Sequence, residues 1–333
     1  MMNNFLSTSG LSEKQLYSII EAAAAIKNGG DRSKPLAGKS IALVFFNPSL
    51  RTRASMQVGI FELGGNPVIL EPGSTSWSLE YREGAIMDGD KTEHLKEFVR
   101  VLERYVAAIG VRTFAELKDW ELERSDPILN AFAKYASVPI INLESAMHHP
   151  CQAMADMMTI REHFGKARKR VLLTWAWHPK PLPMAVPNSF ALAAAQFGHD
   201  LRIAHPKGYE LDDDLVAEIE SHAAANGTCF EIVPEMDQAF DGVDVVYAKS
   251  WGSRNYYGNI NGDMRERAAY RDKWIVDRAK MDRTKAAAFM HCLPVRRNVI
   301  VTDQVIDSPQ SLVIDEAENR LYVQKAIMSE LFK

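Results

Sequence analysis

The sequence predicts an α/β fold of two domains, each a parallel sheet flanked by helices. Short apolar runs alternate with amphipathic stretches from one end to the other, the pattern of strands joined by crossover helices. The runs are near-continuous in Val, Ile and Leu, as strands covered on both faces are. A length of 333 residues with 47% hydrophobic content suits two cores rather than one.

An amphipathic helix is expected over Ser12–Ile26, followed by a first strand at Ser40–Phe46. That strand breaks at Pro48, and the chain restarts as a helix over Thr52–Leu63. Next come a strand at Pro67–Leu70, a helix at Thr92–Leu102, a strand at Tyr105–Val111, a helix at Asp126–Tyr135 and a strand at Val138–Leu143. These elements form a first domain, residues 1–150. A helix at Gln152–Phe164, just after Pro150, bridges to a second domain, residues 151–315. Its expected strands are Arg170–Trp175, Asp200–Ala204, Phe230–Val233, Val243–Ala248, Ala287–Cys292 and Ser311–Ile314, with helices at Asn188–Phe197 and Asp212–Ala225. The closing helix, Glu316–Leu331, would pack as segment 316–333 on the first domain. There is no internal repeat and no low-complexity linker.

Bulk properties exclude several classes. A net charge of −4 and a pI near 6.2 argue against a general nucleic-acid or membrane binder. The 39 basic residues are spread along the chain, with no polybasic run to track a phosphate backbone. Cys151, Cys229 and Cys292 are too few and odd in number for a disulfide framework. No apolar run reaches the length of a membrane span, and Met1-Met2-Asn3-Asn4-Phe5 lacks a signal-peptide pattern. A reducing, cytoplasmic setting is the expectation.

The chemistry-bearing residues cluster at predicted strand ends, where open α/β sheets bind ligands. In Asn47-Pro48-Ser49-Leu50-Arg51-Thr52-Arg53, Ser49 sits where an N-cap is expected, and Arg51 and Thr52 fall in the first turn. A helix start bearing Ser, Arg and Thr suits a small dianion such as phosphate; the alternative is an ordinary capped helix with solvated arginines. Arg112 closes a strand and offers a second guanidinium. In Glu144-Ser145-Ala146-Met147-His148-His149-Pro150-Cys151-Gln152, His149 could donate to a carbonyl oxygen, and Gln152 opens a helix. The His148, His149 and Cys151 spacing is wrong for a closed zinc site. His178 lies in a proline-rich turn, Lys249 ends a strand, and Cys292 beside His291 is either a thiol nucleophile or a pocket-lining residue. Arg320 opens the last helical region. No Gly-x-Gly-x-x-Gly follows a predicted strand, which disfavours a nicotinamide-dependent dehydrogenase.

Taken together, Ser49-Leu50-Arg51-Thr52-Arg53, His149-Pro150-Cys151-Gln152 and His291-Cys292-Leu293-Pro294 resemble the aspartate/ornithine carbamoyltransferase family, in order and over nearly the whole chain. The resemblance implies two α/β domains, one for carbamoyl phosphate and one for the amino acid, in a homotrimer whose active sites are shared between subunits. It implies that Ser49, Leu50, Arg51 and Thr52, with Arg112 and Arg320, hold the phosphate. Thr52, Arg112, His149 and the backbone near Cys292 and Leu293 would polarise the carbamoyl carbonyl, and Gln152 would hold the carbamoyl amide. No metal or organic cofactor is required by this chemistry, in which orientation and oxyanion stabilisation suffice.

The Ser-Met-Gly of ordinary ornithine enzymes is missing; Tyr247-Ala248-Lys249-Ser250-Trp251-Gly252 stands at that strand end. With Trp77, Met87-Asp88-Gly89-Asp90 and Trp175-Ala176-Trp177-His178-Pro179, the chain resembles the branch acting on N-acylornithine, in arginine biosynthesis. There Trp77 would reach a neighbouring subunit's carbamoyl phosphate site, and Glu144, His178, Lys249, Leu293 and Arg296 would contact the acylornithine. Arg296 could equally be a surface charge beside Arg297. Thr92 stands where acetyl enzymes have Glu and succinyl enzymes have Pro, and Ile300 stands where acetyl enzymes have Lys, so both acyl groups stay open. The rivals are an ordinary ornithine carbamoyltransferase and a non-catalytic anion-binding protein on the same scaffold. The second predicts damaged anion residues, whereas Ser49, Arg51, Thr52, Arg112, His149 and Gln152 are all present.

Overall fold

The computed structural model describes residues 2–333 and divides into two compact units. Unit 1 takes the chain up to Ala115, then Glu121–Cys151 and Arg320–Lys333; unit 2 takes Glu116–Trp120 and Gln152–Asn319. Both later boundaries fall inside helices, Pro150–Phe164 and Val313–Leu331.

Unit 1 contains strands β1 (Ser40–Phe45), β2 (Asn66–Leu70), β3 (Leu79–Glu80), β4 (Glu93–His94), β5 (Ala108–Arg112) and β6 (Ile140–Glu144). Its main sheet is parallel, in the order β2-β1-β5-β6, so the direction of winding reverses between β1 and β5. Pro67, which lacks an N–H, is tolerated because β2 is an edge strand. On one face, Ala42, Val44, Ile109 and Val111 share a buried cluster with Val99 of the helix Leu95–Leu102 and with Phe132 of the helix Pro127–Tyr135. Phe46 and Phe98 meet the Phe132 ring edge-on at 6.2 Å, and burying such a ring contributes roughly 1.5–3 kcal/mol. Gly110 is a close-approach site: a Cβ there would stand 2.9 Å from Leu143 Cδ1 and 3.0 Å from Leu43 Cδ2.

Unit 2 contains β7 (Arg170–Trp175), β8 (Asp200–Ala204), β9 (Phe230–Val233), β10 (Val245–Lys249) and β11 (Ala288–Met290). They form a second parallel sheet, ordered β11-β10-β7-β8-β9, whose winding reverses between β7 and β10. The helix Ala185–Gln196 is buried along its whole length, its Ala-rich sequence carrying no charge to keep in water. The helix Asp213–Asn226 is started by the Asp212 carboxylate on the Asp214 and Leu215 N–H groups and stopped by Gly227 at φ 60°.

Two expectations are corrected. Ser311–Ile314 is not a strand: Ser311 makes one isolated bridge to Phe289, and the helix begins at Val313. Leu312 and Val313 are buried while Ile314 is 71% exposed, which suits the first turn of a helix. The helix expected from Thr92 starts only at Leu95, because Glu93 and His94 pair with Leu79 and Glu80 as a two-stranded sheet. Glu80 braces that sheet, its carboxylate accepting from the guanidinium of Arg82 and from the Tyr81 and Arg82 N–H groups. The Arg82 contact above all holds its carboxyl down at about 2.

Candidate active site

In unit 1 the reversal between β1 and β5 brings two segments together: the turn after β1 and the end of β5. The helix Arg51–Glu62 starts there with Leu50, not Ser49, in the cap position, and Leu50 makes no side-chain cap hydrogen bond. The Ser49 N-cap expectation is thereby corrected. A helix start without a side-chain cap keeps its positive end available to an anion. Leu50 itself is exposed, and Arg51 is half-buried.

Thr52, fully buried, is the hub. Its Oγ1 accepts from Arg320 Nη2 at 2.5 Å and from Arg112 Nη1 at 3.4 Å. Arg320 does not open the last helix, as expected, but lies in the middle of Val313–Leu331, with its Nε buried and without a partner among the described residues. Arg112 also donates to Glu144 Oε2 at 2.6 Å and lies over the Phe114 ring at 4.3 Å. That encounter depends on a register shift between β5 and β6, which pairs Arg112 with Glu144 rather than Leu143. His149 Nε2 is 3.4 Å from the same Glu144 oxygen. Thus Thr52, Arg112, Glu144, His149 and Arg320 form one buried constellation rich in donors.

The loop carrying His149 is held from behind by Asp126, whose carboxylate accepts from Ser145 Oγ and the Ala146 N–H at 2.7 Å and from the Met147 N–H at 3.3 Å. Burial pushes the Asp126 carboxyl up to about 6. Cys151 is buried, its thiol pushed up to about 12 by burial, and its Sγ donates to the Asn142 carbonyl. Trp77 and Thr92 sit on a surface arm of unit 1: Trp77 is 57% exposed, its indole donating to Glu93 Oε2 at 2.7 Å, and Thr92 is the exposed neighbour of Glu93.

In unit 2 the reversal between β7 and β10 gathers His178, Lys249 and Arg296. Lys249 pairs in register with Trp175 at the carboxyl ends of the two strands. Arg296 Nε donates to His178 Nε2 at 2.9 Å, so the imidazole proton sits on Nδ1 and goes to the Lys180 carbonyl at 2.7 Å. Burial, seconded by Arg296 and Lys249, lowers His178 to about 4, and the ring is neutral at pH 7. Arg297 is tied to Asp303 and Asp307, whereas Arg296 makes no ion pair and Lys249 has no side-chain partner among the described residues. Two cations beside a neutral imidazole, with no acid paired to either, suit a carboxylate. Cys292 is buried, and Leu293 stands at φ 54°, its N–H donating to His291 Nδ1 at 2.9 Å.

The described residues hold no group of three or more His, Cys, Asp and Glu side chains placed for a metal ion. A model described as the carbamoyl-phosphate-binding domain of aspartate/ornithine carbamoyltransferase matches residues 3–162, and one described as its Asp/Orn-binding domain matches residues 184–331. The chain belongs to the aspartate/ornithine carbamoyltransferase family. Within that family it is 46% identical to the N-acetylornithine carbamoyltransferase of Xanthomonas campestris pv. campestris, over 99% of this chain and 98% of that protein. It is 43% identical to the N-succinylornithine carbamoyltransferase of Bacteroides thetaiotaomicron, over 89% and 88% respectively. A solved structure of a single-residue variant of N-acetyl-L-ornithine transcarbamylase, complexed with carbamyl phosphate and N-succinyl-L-norvaline, superposes with a TM-score of 0.96 at 45% identity, covering 99% of this chain and 100% of that one.

Reading this carbamoyltransferase from sequence missed Arg267. Wholly buried, it pairs with Asp263 at 2.5 Å and donates to the carbonyls of His178, Lys180 and Trp251. It thereby clamps the loops that present His178 and Lys249. Nothing flagged it, because Arg265, Arg267 and Arg271 alternate with acids like an ordinary solvated surface.

Proposed function

We propose that this protein transfers the carbamoyl group of carbamoyl phosphate to the side-chain amine of an N2-acyl-L-ornithine, releasing N2-acyl-L-citrulline and phosphate. The observation that carries the reading is the convergence of Arg112 and Arg320 on Thr52 at a helix start without a side-chain cap. Family membership and the named N-acylornithine relatives support the same reaction. In this reading residues 1–150 with segment 316–333 serve carbamoyl phosphate, and residues 151–315 serve the acylornithine. Ser49, the Leu50 N–H, Arg51, Thr52, Arg112 and Arg320 hold the phosphate. Thr52, Arg112, His149 and the backbone near Cys292 and Leu293 polarise the carbonyl, and Gln152 takes the carbamoyl amide.

The neutral side-chain amine attacks the carbonyl carbon, the carbonyl oxygen gathers charge among the donors, and the C–O bond to phosphate breaks. Phosphate leaves carrying the negative charge and accepts the amine's surplus proton. Orientation and preorganised donors supply the rate enhancement. Lys249 and Arg296, supported by His178, take the substrate carboxylate, and Glu144 completes the contacts. Among the described residues no acid forms an ion pair with Lys249 or Arg296, which fits a substrate whose α-nitrogen is an uncharged amide.

Trp77, Ile86 and Met87 are exposed on one stretch of unit 1 and support a homotrimer in which Trp77 reaches a neighbour's site. No helix among the described residues is long and apolar enough to cross a membrane, and a cytoplasmic setting fits the free thiols of Cys151, Cys229 and Cys292. Thr92 puts no charge against a succinyl carboxylate, and the buried Ile300 offers no cation. The deciding assay supplies carbamoyl phosphate with ornithine, N-acetylornithine or N-succinylornithine in parallel and follows phosphate release. An N-acylornithine is expected to turn over far faster than ornithine; turnover of free ornithine alone would refute the reading.

A further inference from the structure

Gln152 is almost wholly buried in unit 2, and its amide nitrogen is fully committed. One hydrogen goes to Asp156 Oδ1 at 2.8 Å, the other to Glu316 Oε1 at 2.9 Å. A side-chain amide has two N–H donors and no more, so nothing is left on the nitrogen for a ligand. Turning the amide round would set Oε1 against two carboxylates that are themselves acceptors. Glu316 is kept in that role by the His291 N–H, donating to Oε2 at 2.9 Å, and by the Tyr247 hydroxyl, 3.5 Å from Oε1. Tyr247 keeps its proton, because burial, with Asp156 and Glu316 nearby, drives it well above its ordinary value.

The remaining polar atom, Gln152 Oε1, is buried and has no partner among the described residues. A buried acceptor left in that condition calls for a donor. We propose that Asp156 and Glu316 are positioning residues that lock Gln152 with its oxygen toward the ligand, so that the protein recognises a carbamoyl group by its NH2. The inference rests on the carbamoyl phosphate reading and deepens it, by stating how that ligand is told from other acyl phosphates. A carbamoyl NH2 donates to Oε1; the methyl of an acetyl group leaves the oxygen orphaned. Because Glu316 also holds the His291 N–H, the same carboxylate ties Gln152 to the turn that carries Cys292 and Leu293.

Phosphonoacetamide and acetonylphosphonate form a charge-matched pair of probes, differing by NH2 against CH3 at the carbonyl. Their dissociation constants would be measured by calorimetry on the whole chain, for wild type, Glu316→Gln and Asp156→Asn. Wild type is expected to prefer the amide roughly tenfold or more, the worth of one buried hydrogen bond. Each variant should lose several-fold of that preference, since Gln152 is then free to turn. Equal weakening of both probes, with the ratio unchanged, would reduce the two acids to a structural role and overturn the inference. So would a wild type that binds both probes alike, a result independent of whether either variant folds. A wild type that binds neither probe would overturn the carbamoyl phosphate reading itself, and the inference with it.

Discussion

Thr52 shows how much one hydroxyl can organise. It receives two guanidinium groups from residues far apart in sequence, and each is thereby aimed at the start of its helix. Arg320→Ala removes one of these charge-assisted donors. It should lower kcat/KM for carbamoyl phosphate by about 100- to 1000-fold, or roughly 2.7–4 kcal/mol of transition-state stabilisation, while the far-ultraviolet circular dichroism stays that of wild type. A variant within tenfold of wild type would place the leaving group elsewhere. Thr92→Glu tests the surface arm: a carboxylate there should depress kcat/KM for N-succinylornithine about tenfold relative to N-acetylornithine, by like-charge repulsion. At this scale the short motif around Ser49 was legible because its residues are neighbours in sequence. The Arg112–Glu144 encounter was not, since it needs a one-residue register shift that no local pattern announces. Ser49 was misread as a cap for the same reason: the turn continues one residue further before helical geometry begins.

Among the elements, the helix Ile260–Arg267 has a disproportionate effect, because its last residue binds carbonyl groups of two different loops. Replacing Arg267 with Met leaves Asp263 buried without its cation. A loss of about 3–5 kcal/mol in urea-induced unfolding is expected. In the folded fraction the KM for acylornithine should rise several-fold while that for carbamoyl phosphate changes little. A variant with unaltered KM for both substrates would restrict Arg267 to stability alone. The strands Arg170–Trp175 and Asp200–Ala204 were read to the residue, because the first is an unbroken buried run after Arg170 and the second alternates buried apolar residues with partly buried Asp200 and Arg202. The two-residue strands β3 and β4 and the four-residue helices Met236–Ala239 and Arg278–Met281 carry too few residues to express a period, and they were not read. The strand expected at Ser311–Ile314 failed differently: a short apolar run does not tell a strand from a first helical turn.

For the molecule as a whole, acid sensitivity follows from three imidazoles, His178 and His199 half-buried and His205 buried. Burial lowers His178 and His199 to about 4 and lowers His205 as well, so the unfolded chain takes up these protons first as pH falls below about 6.5. Asp126, raised to about 6, opposes this by binding its proton earlier in the folded state. The histidines outnumber it, and stability should therefore fall between pH 6.5 and 4 and be flat just above. Urea midpoints at pH 7.5, 6 and 5 would show the decline; a midpoint that rises on acidification would contradict it. The two-domain α/β architecture itself was legible from strand and helix alternation, but the strand orders were not, because they are set by pairings between distant segments. One of those distant pairings has a further consequence. Thr52 finds Arg320 across 268 positions of sequence. While the polypeptide is still emerging from the ribosome, its amino-terminal sheet has all its strands but lacks that third arginine. On the proposed reading, a nascent chain holds every strand of that sheet yet lacks Arg320 for the leaving group until the carboxyl-terminal helix has been made.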